Sequence, residues 1–188
     1  MTLSGSLLTR IAVLVLVVVF FQIGVVSEVP VFGVAIDLSP LVVAFVGLMC
    51  GSTIGASVGF AVGLLVDLAL VQTLGLTSLV FTLVGYWCGR LRELRDPQAA
   101  VTPLLVGAGA TAAALVGYSL MEFMLGVDAP VSFELLREIV FGVIVNTIGA
   151  VPMWILVRRC LIGSLPHDPR RRRRRAYTTG GLSPLSKA

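Results

Sequence analysis

Apolar residues fill this chain in long unbroken runs, and polar residues appear mainly where the runs stop. The runs extend from Ile11 to Val26, Leu38 to Val71, Leu74 to Cys88, Val101 to Leu125 and Ile139 to Val157. A bilayer core of roughly 30 Å takes about 20 apolar residues of helix. The second run is too long for one crossing, since about 34 residues at 1.5 Å each would reach roughly 50 Å. Its best turn chemistry is "CGSTIG", Cys50 to Gly55, which divides it into helices over Leu38–Cys50 and Ile54–Val71. The pattern therefore predicts an all-α protein, a polytopic membrane bundle of six transmembrane helices.

Composition agrees with this class. Of 188 residues, 57% are hydrophobic and 13% charged, with mean hydropathy +1.01, beyond what a soluble core of this size can hide. No polar segment is long enough for a second folded domain, so a soluble catalytic domain is not expected. Residues 1–163 are read as the six-helix transmembrane domain and residues 164–188 as a basic, disordered cytoplasmic tail. The run after Arg10 is long for a signal-peptide core, and "SEVPVFG" lacks a small-x-small cleavage site, so it reads as a retained helix. Cys50, Cys88 and Cys160 form neither an even set nor a ligand cluster and read as small inert hydrophobes.

Charge sets the expected orientation, because Lys and Arg favour cytoplasmic flanks. Six crossings place Arg10, "GRLRELR" (Gly89 to Arg95), Arg158, Arg159 and the tail run Arg170, Arg171, Arg172, Arg173, Arg174 and Arg175 on one side, leaving Arg137 opposite. Five crossings would move "GRLRELR" outside. Both termini are thus expected in the cytoplasm. Glu28, Asp37, Asp128, Glu134 and Glu138 fall in or beside the outer loops and make that face acidic.

Candidate functional residues begin in the third helix, where Gly51, Gly55, Gly59 and Gly63 recur every four positions and Asp67 continues the spacing. Each step overshoots a full turn by about 40°, so neighbours share a slowly winding face. Small residues at this spacing allow another backbone close approach. That face serves either internal packing or docking of a partner's helix. An acid at the bilayer centre costs roughly 2.5 to 3.5 kcal/mol on insertion scales, less near the interface. For Asp67 the options are a pair with Arg137, a hydrogen bond to Thr73 or Asn146, or outer-face water. Glu122, in "YSLMEFMLG", has the same choices and is expected to snorkel.

Asn146 is expected near mid-membrane, hydrogen-bonded to another helix, with a kink at Pro152. The fifth helix, "GAGATAAALVGY", has small residues enough to pack closely on the third. The six consecutive tail arginines would suit nucleic acid in isolation, but after a membrane exit they read as an orientation signal and an anionic-lipid contact. No nucleotide loop, metal-ligand pattern or activated nucleophile is present, and the single histidine, His167, lies in the tail. Catalysis by Asp67 and Glu122 as paired carboxylates would need the third and fifth helices to bring them together. The expectation is no enzyme, no cofactor and no metal.

The stretches "DLSPLVVAFVGLMCG" (Asp37 to Gly51) and "GASVGFAVGLLVDLALVQTLGLTSLVFTLVGYWCGRL" (Gly55 to Leu91) resemble the rod shape-determining protein MreD family, most specifically in the "G-x-x-x-G-F-x-x-G-L-L-x-D" core. The resemblance covers about Arg10 to Arg159, and the arginine-rich tail departs from it. It implies a noncatalytic component of the bacterial cell-elongation machinery in the inner membrane. Such a protein binds MreC, and through it MreB, a SEDS glycosyltransferase and a class B penicillin-binding protein. The family's likeness in fold to substrate-binding subunits of energy-coupling-factor transporters implies the rival reading: a small-molecule-binding transporter subunit with a pocket near Asp67, Glu122 and Asn146.

Overall fold

The computed structural model describes residues 5–22, 24, 37–70, 73–94, 102–126 and 133–161. These form six α-helices: α1 Gly5–Phe21, α2 Ser39–Cys50, α3 Ser52–Ala69, α4 Leu76–Leu94, α5 Thr102–Met124 and α6 Phe133–Leu161. No strand occurs among the described residues. The expected helices are all present, but several ends move. The break between α2 and α3 is a single residue, Gly51, whose φ of 103° is open to glycine without a Cβ penalty. Gly51 thus precedes α3 rather than belonging to it, and α3 starts at Ser52 instead of Ile54. Helix α4 runs on through Arg90, Arg92 and Glu93, and α6 starts at Phe133, six residues before the apolar run. Backbone hydrogen bonding does not stop where apolarity stops, and Arg, Glu and Leu are good helix formers.

Helix α2 is the centre of the bundle. Every residue from Ser39 to Leu48 is buried, as expected of a helix apolar all round. At 12 residues it is about 18 Å long, short for a crossing. All five other helices pack on it. Phe45, fully buried, meets the Trp154 ring edge-on with centroids 5.3 Å apart. Helices α3, α5 and, in α6, Ile139–Leu161 are long and apolar enough to cross a membrane.

The neighbour relations correct one expectation. Helix α5 packs mainly on α6, with further contact to α2 and α4, whereas the main partner of α3 is α4. The small residues of α5 explain the choice. A Cβ on Gly107 would fall 2.6 Å from the Ala150 methyl of α6 and 3.2 Å from a Leu41 methyl of α2.

Candidate functional site

Helices α3 and α4 are antiparallel and meet along a seam whose register can be followed residue by residue. Gly55 lies against Gly85, Gly59 against Phe81, Gly63 against Ser78, and Asp67 closes on Gly75. At each glycine the opposing atoms are backbone. A Cβ on Gly59 would stand 2.6 Å from the Phe81 carbonyl carbon and 2.9 Å from the Thr82 nitrogen, and one on Gly63 2.7 Å from the Thr77 carbonyl carbon. Real Cβ atoms essentially never come within 3.0 Å of such neighbours. The face formed by Gly55, Gly59 and Gly63 is therefore filled by α4, and a partner helix could reach it only by displacing α4.

At one end of the seam a third backbone joins. A Cβ on Gly47 of α2 would lie 2.6 Å from the Gly85 carbonyl oxygen and 3.5 Å from the Gly55 Cα, and Gly89 of α4 abuts Gly51 and Ser52. Gly47, Gly85 and Gly89 were not singled out from sequence. The four-residue spacing in "GYWCG" was the available signal, the same small-xxx-small spacing that marked α3.

At the other end sits Asp67, with no exposed surface. Its Oδ2 accepts the Gly75 backbone N–H at 2.8 Å. Gly75 has φ 94° and immediately precedes α4. The carboxyl group thus caps the start of the next helix, where unsatisfied N–H groups and the positive end of the helix dipole favour an acid. Its Oδ1 is buried with no hydrogen-bond partner among the described residues, as is the Ser78 hydroxyl. Among the described residues, none of Arg137, Thr73 and Asn146 is hydrogen-bonded to Asp67. Arg137 lies over the Phe141 ring, 5.7 Å from its centroid, and Asn146 bonds elsewhere.

Asn146, 2% exposed, donates from Nδ2 to the Asp37 carbonyl oxygen at 2.6 Å and, more weakly, to Thr111 Oγ1 at 3.4 Å. Two further bonds gather at the same place. The Leu38 N–H donates to Gln22 Oε1 at 3.0 Å, and the Ser39 N–H to Asp37 Oδ1 at 2.9 Å. The orphan donors at the start of α2 are thereby met by side chains. Polar groups from α5 and α6, and Gln22 beyond α1, converge on the first turn of the central helix. Gln22 and Thr111 were missed from sequence, although both are polar residues inside apolar runs.

Glu122 is half-buried and faces Tyr118 one turn earlier. Asp67 and Glu122 share no hydrogen bond. No grouping of His, Cys, Asp and Glu able to hold a metal occurs among the described residues. Two open grooves line α6, one of about 310 Å³ bounded by Leu38, Gly149, Pro152, Met153 and Leu156, the other by Trp154, Ile155, Arg158 and Arg159. Neither is lined by Asp67, Glu122 or Asn146. The arginines Arg170 to Arg175 lie outside the described residues.

A chain whose described residues are all-helical, with three helices among them fit to cross a bilayer, is of the integral membrane class. Within that class, residues 5–162 match the family described as rod shape-determining protein MreD, and the chain belongs to that family. It is a membrane component concerned with rod shape. No curated protein and no solved structure matches the chain.

Proposed function

We propose that this chain is a noncatalytic, multi-pass component of the cell-elongation complex in the bacterial inner membrane. In this reading it crosses six times with both termini cytoplasmic. It binds MreC, and through MreC it is linked to MreB and to the wall synthases, a SEDS glycosyltransferase and a class B penicillin-binding protein, and so helps control cell shape and lateral peptidoglycan synthesis. The observation that carries the reading is the family match over residues 5–162. The alignment of Arg10, Arg90, Arg92, Arg158 and Arg159 on one side under six crossings supports the topology. The basic tail, Arg170 to Arg175, contacts anionic lipid rather than nucleic acid.

Because α4 occupies the face of Gly55, Gly59 and Gly63, the proposed role of these glycines and Asp67 is to fix the bundle that presents a partner surface elsewhere. Glu122 and Asn146 act as polar contacts within that bundle. The transporter-subunit reading has no specific observation in its favour.

The test is co-expression of the tagged chain with MreC, followed by purification in mild detergent. Stoichiometric co-elution of MreC is expected. Purification free of MreC, with an ATPase pair and a coupling subunit in its place, would favour the transporter reading.

A further inference from the structure

The groove of about 290 Å³ at the C-terminal end of α6 combines an indole, an aliphatic side chain and two guanidinium groups: Trp154, Ile155, Arg158 and Arg159. Helical spacing explains the grouping, since 154 and 158, and 155 and 159, each lie one turn apart. Trp154 is half-buried and braced by its edge contact with Phe45, whereas Ile155, Arg158 and Arg159 are exposed. Among the described residues no acidic side chain lines the groove, so the two positive charges face no carboxylate of the described helices within it.

The position along the helix narrows the occupant. The apolar span Ile139–Leu161 ends in this turn, at the depth where a bilayer passes from hydrocarbon to headgroup. Tryptophan is enriched at that level, and paired guanidinium groups match phosphate oxygens in charge and geometry.

We propose that this groove binds the headgroup phosphate of an anionic phospholipid. Arg158 and Arg159 hold the phosphate, the Trp154 indole lies beside the glycerol, and Ile155 meets the start of an acyl chain. The site is separate from the tail arginines and does not depend on MreC.

Trp154 supplies a local reporter. The chain has two tryptophans, so in the full-length Trp87→Phe variant Trp154 alone fluoresces. The protein is reconstituted in zwitterionic bilayers containing increasing fractions of brominated phosphatidylglycerol or, in parallel, brominated phosphatidylcholine, and quenching is read. The expected result is half-maximal quenching by the anionic lipid at a several-fold lower mole fraction. A basic group near an anionic surface contributes about fivefold, so Arg158→Gln and Arg159→Gln should each erode the preference and together abolish it. Replacing Arg170 to Arg175 by glutamine should leave it intact. Equal quenching by the two lipids in the Trp87→Phe protein overturns the proposal without any arginine variant being needed. A preference that survives the Arg158→Gln/Arg159→Gln pair, or that vanishes with the tail substitutions, also overturns it.

Discussion

The carboxyl group of Asp67, at the end of α3, accepts the backbone N–H of Gly75 at 2.8 Å and so caps the helix that packs against its own. One bond thereby ties the tightest helix pair of the bundle at its turn. The opposite end is held by Gly47, Gly55, Gly85 and Gly89, whose backbones crowd together. An acid continuing a glycine repeat is understandable on this basis: where the helices part into a turn, close approach is replaced by a reach across.

Removing the acceptor should matter more than removing the charge. Asp67→Asn keeps an oxygen for Gly75 and is expected to stay within about 1 kcal/mol of the parent. Asp67→Leu leaves that N–H without its partner and should cost about 1–3 kcal/mol. Unfolding in mild detergent, followed by the loss of the monodisperse peak on heating, separates the two. Equal behaviour of both variants would show that the bond is not used.

Glycine substitutions should divide sharply by position. Gly59→Ala places a methyl group against the Phe81 backbone and is expected to destabilise by about 1–3 kcal/mol, with Gly59→Leu failing to fold. Gly109, also helical, has nothing within 4 Å of its missing Cβ. Gly109→Ala should therefore be neutral or raise stability by up to about 1 kcal/mol. The same thermal assay reads both, and similar losses at the two positions would contradict the seam.

The cluster at the start of α2 makes a graded prediction. Asn146→Leu removes the 2.6 Å bond to the Asp37 carbonyl and should cost about 0.6–2 kcal/mol, the range of interhelical hydrogen bonds in membranes. Thr111→Val removes only the 3.4 Å contact and should cost less than half as much. A chemical-denaturation series on the two variants ranks them.

Much of this was legible in the sequence, and what was not has a physical cause. Runs of apolar residues located all six helices, and Gly51 was within the stretch identified as the break. The ends were misplaced because charged residues that leave the apolar core still propagate a helix, as in α4 through Arg92 and in α6 from Phe133. Periodicity marked one side of the seam at Gly55, Gly59 and Gly63, but a repeat does not name the helix that fills it. That depended on Gly85, Phe81 and Ser78 coming into antiparallel register. Asp67 stood out as an acid in an apolar run, yet its partner was a backbone N–H, which no side-chain inventory reveals. The buried position of α2 was hidden for a further reason, since an apolar helix reads alike whether lipid or protein surrounds it.

Thiol chemistry offers an independent probe of the same packing. Cys88 is 6% exposed, while Cys50 and Cys160 are only partly covered. A small maleimide should leave Cys88 unlabelled in the folded protein and label it after denaturation, as peptide mapping by mass spectrometry would show. Rapid labelling of Cys88 in the native state would place α4 differently.

The most direct test of the proposed role is photo-crosslinking in living cells from single positions spread around the bundle, with the crosslinked partners identified by mass spectrometry. Outward positions such as Trp87 on α4, Leu105 on α5 and Ile148 on α6 are 64%, 66% and 72% exposed, while Val62 is 1% exposed and faces inward. MreC is expected to be captured from at least one outward surface and from none of the inward positions. Capture of MreC from Val62, or of transporter subunits in place of MreC from the outward positions, would contradict it.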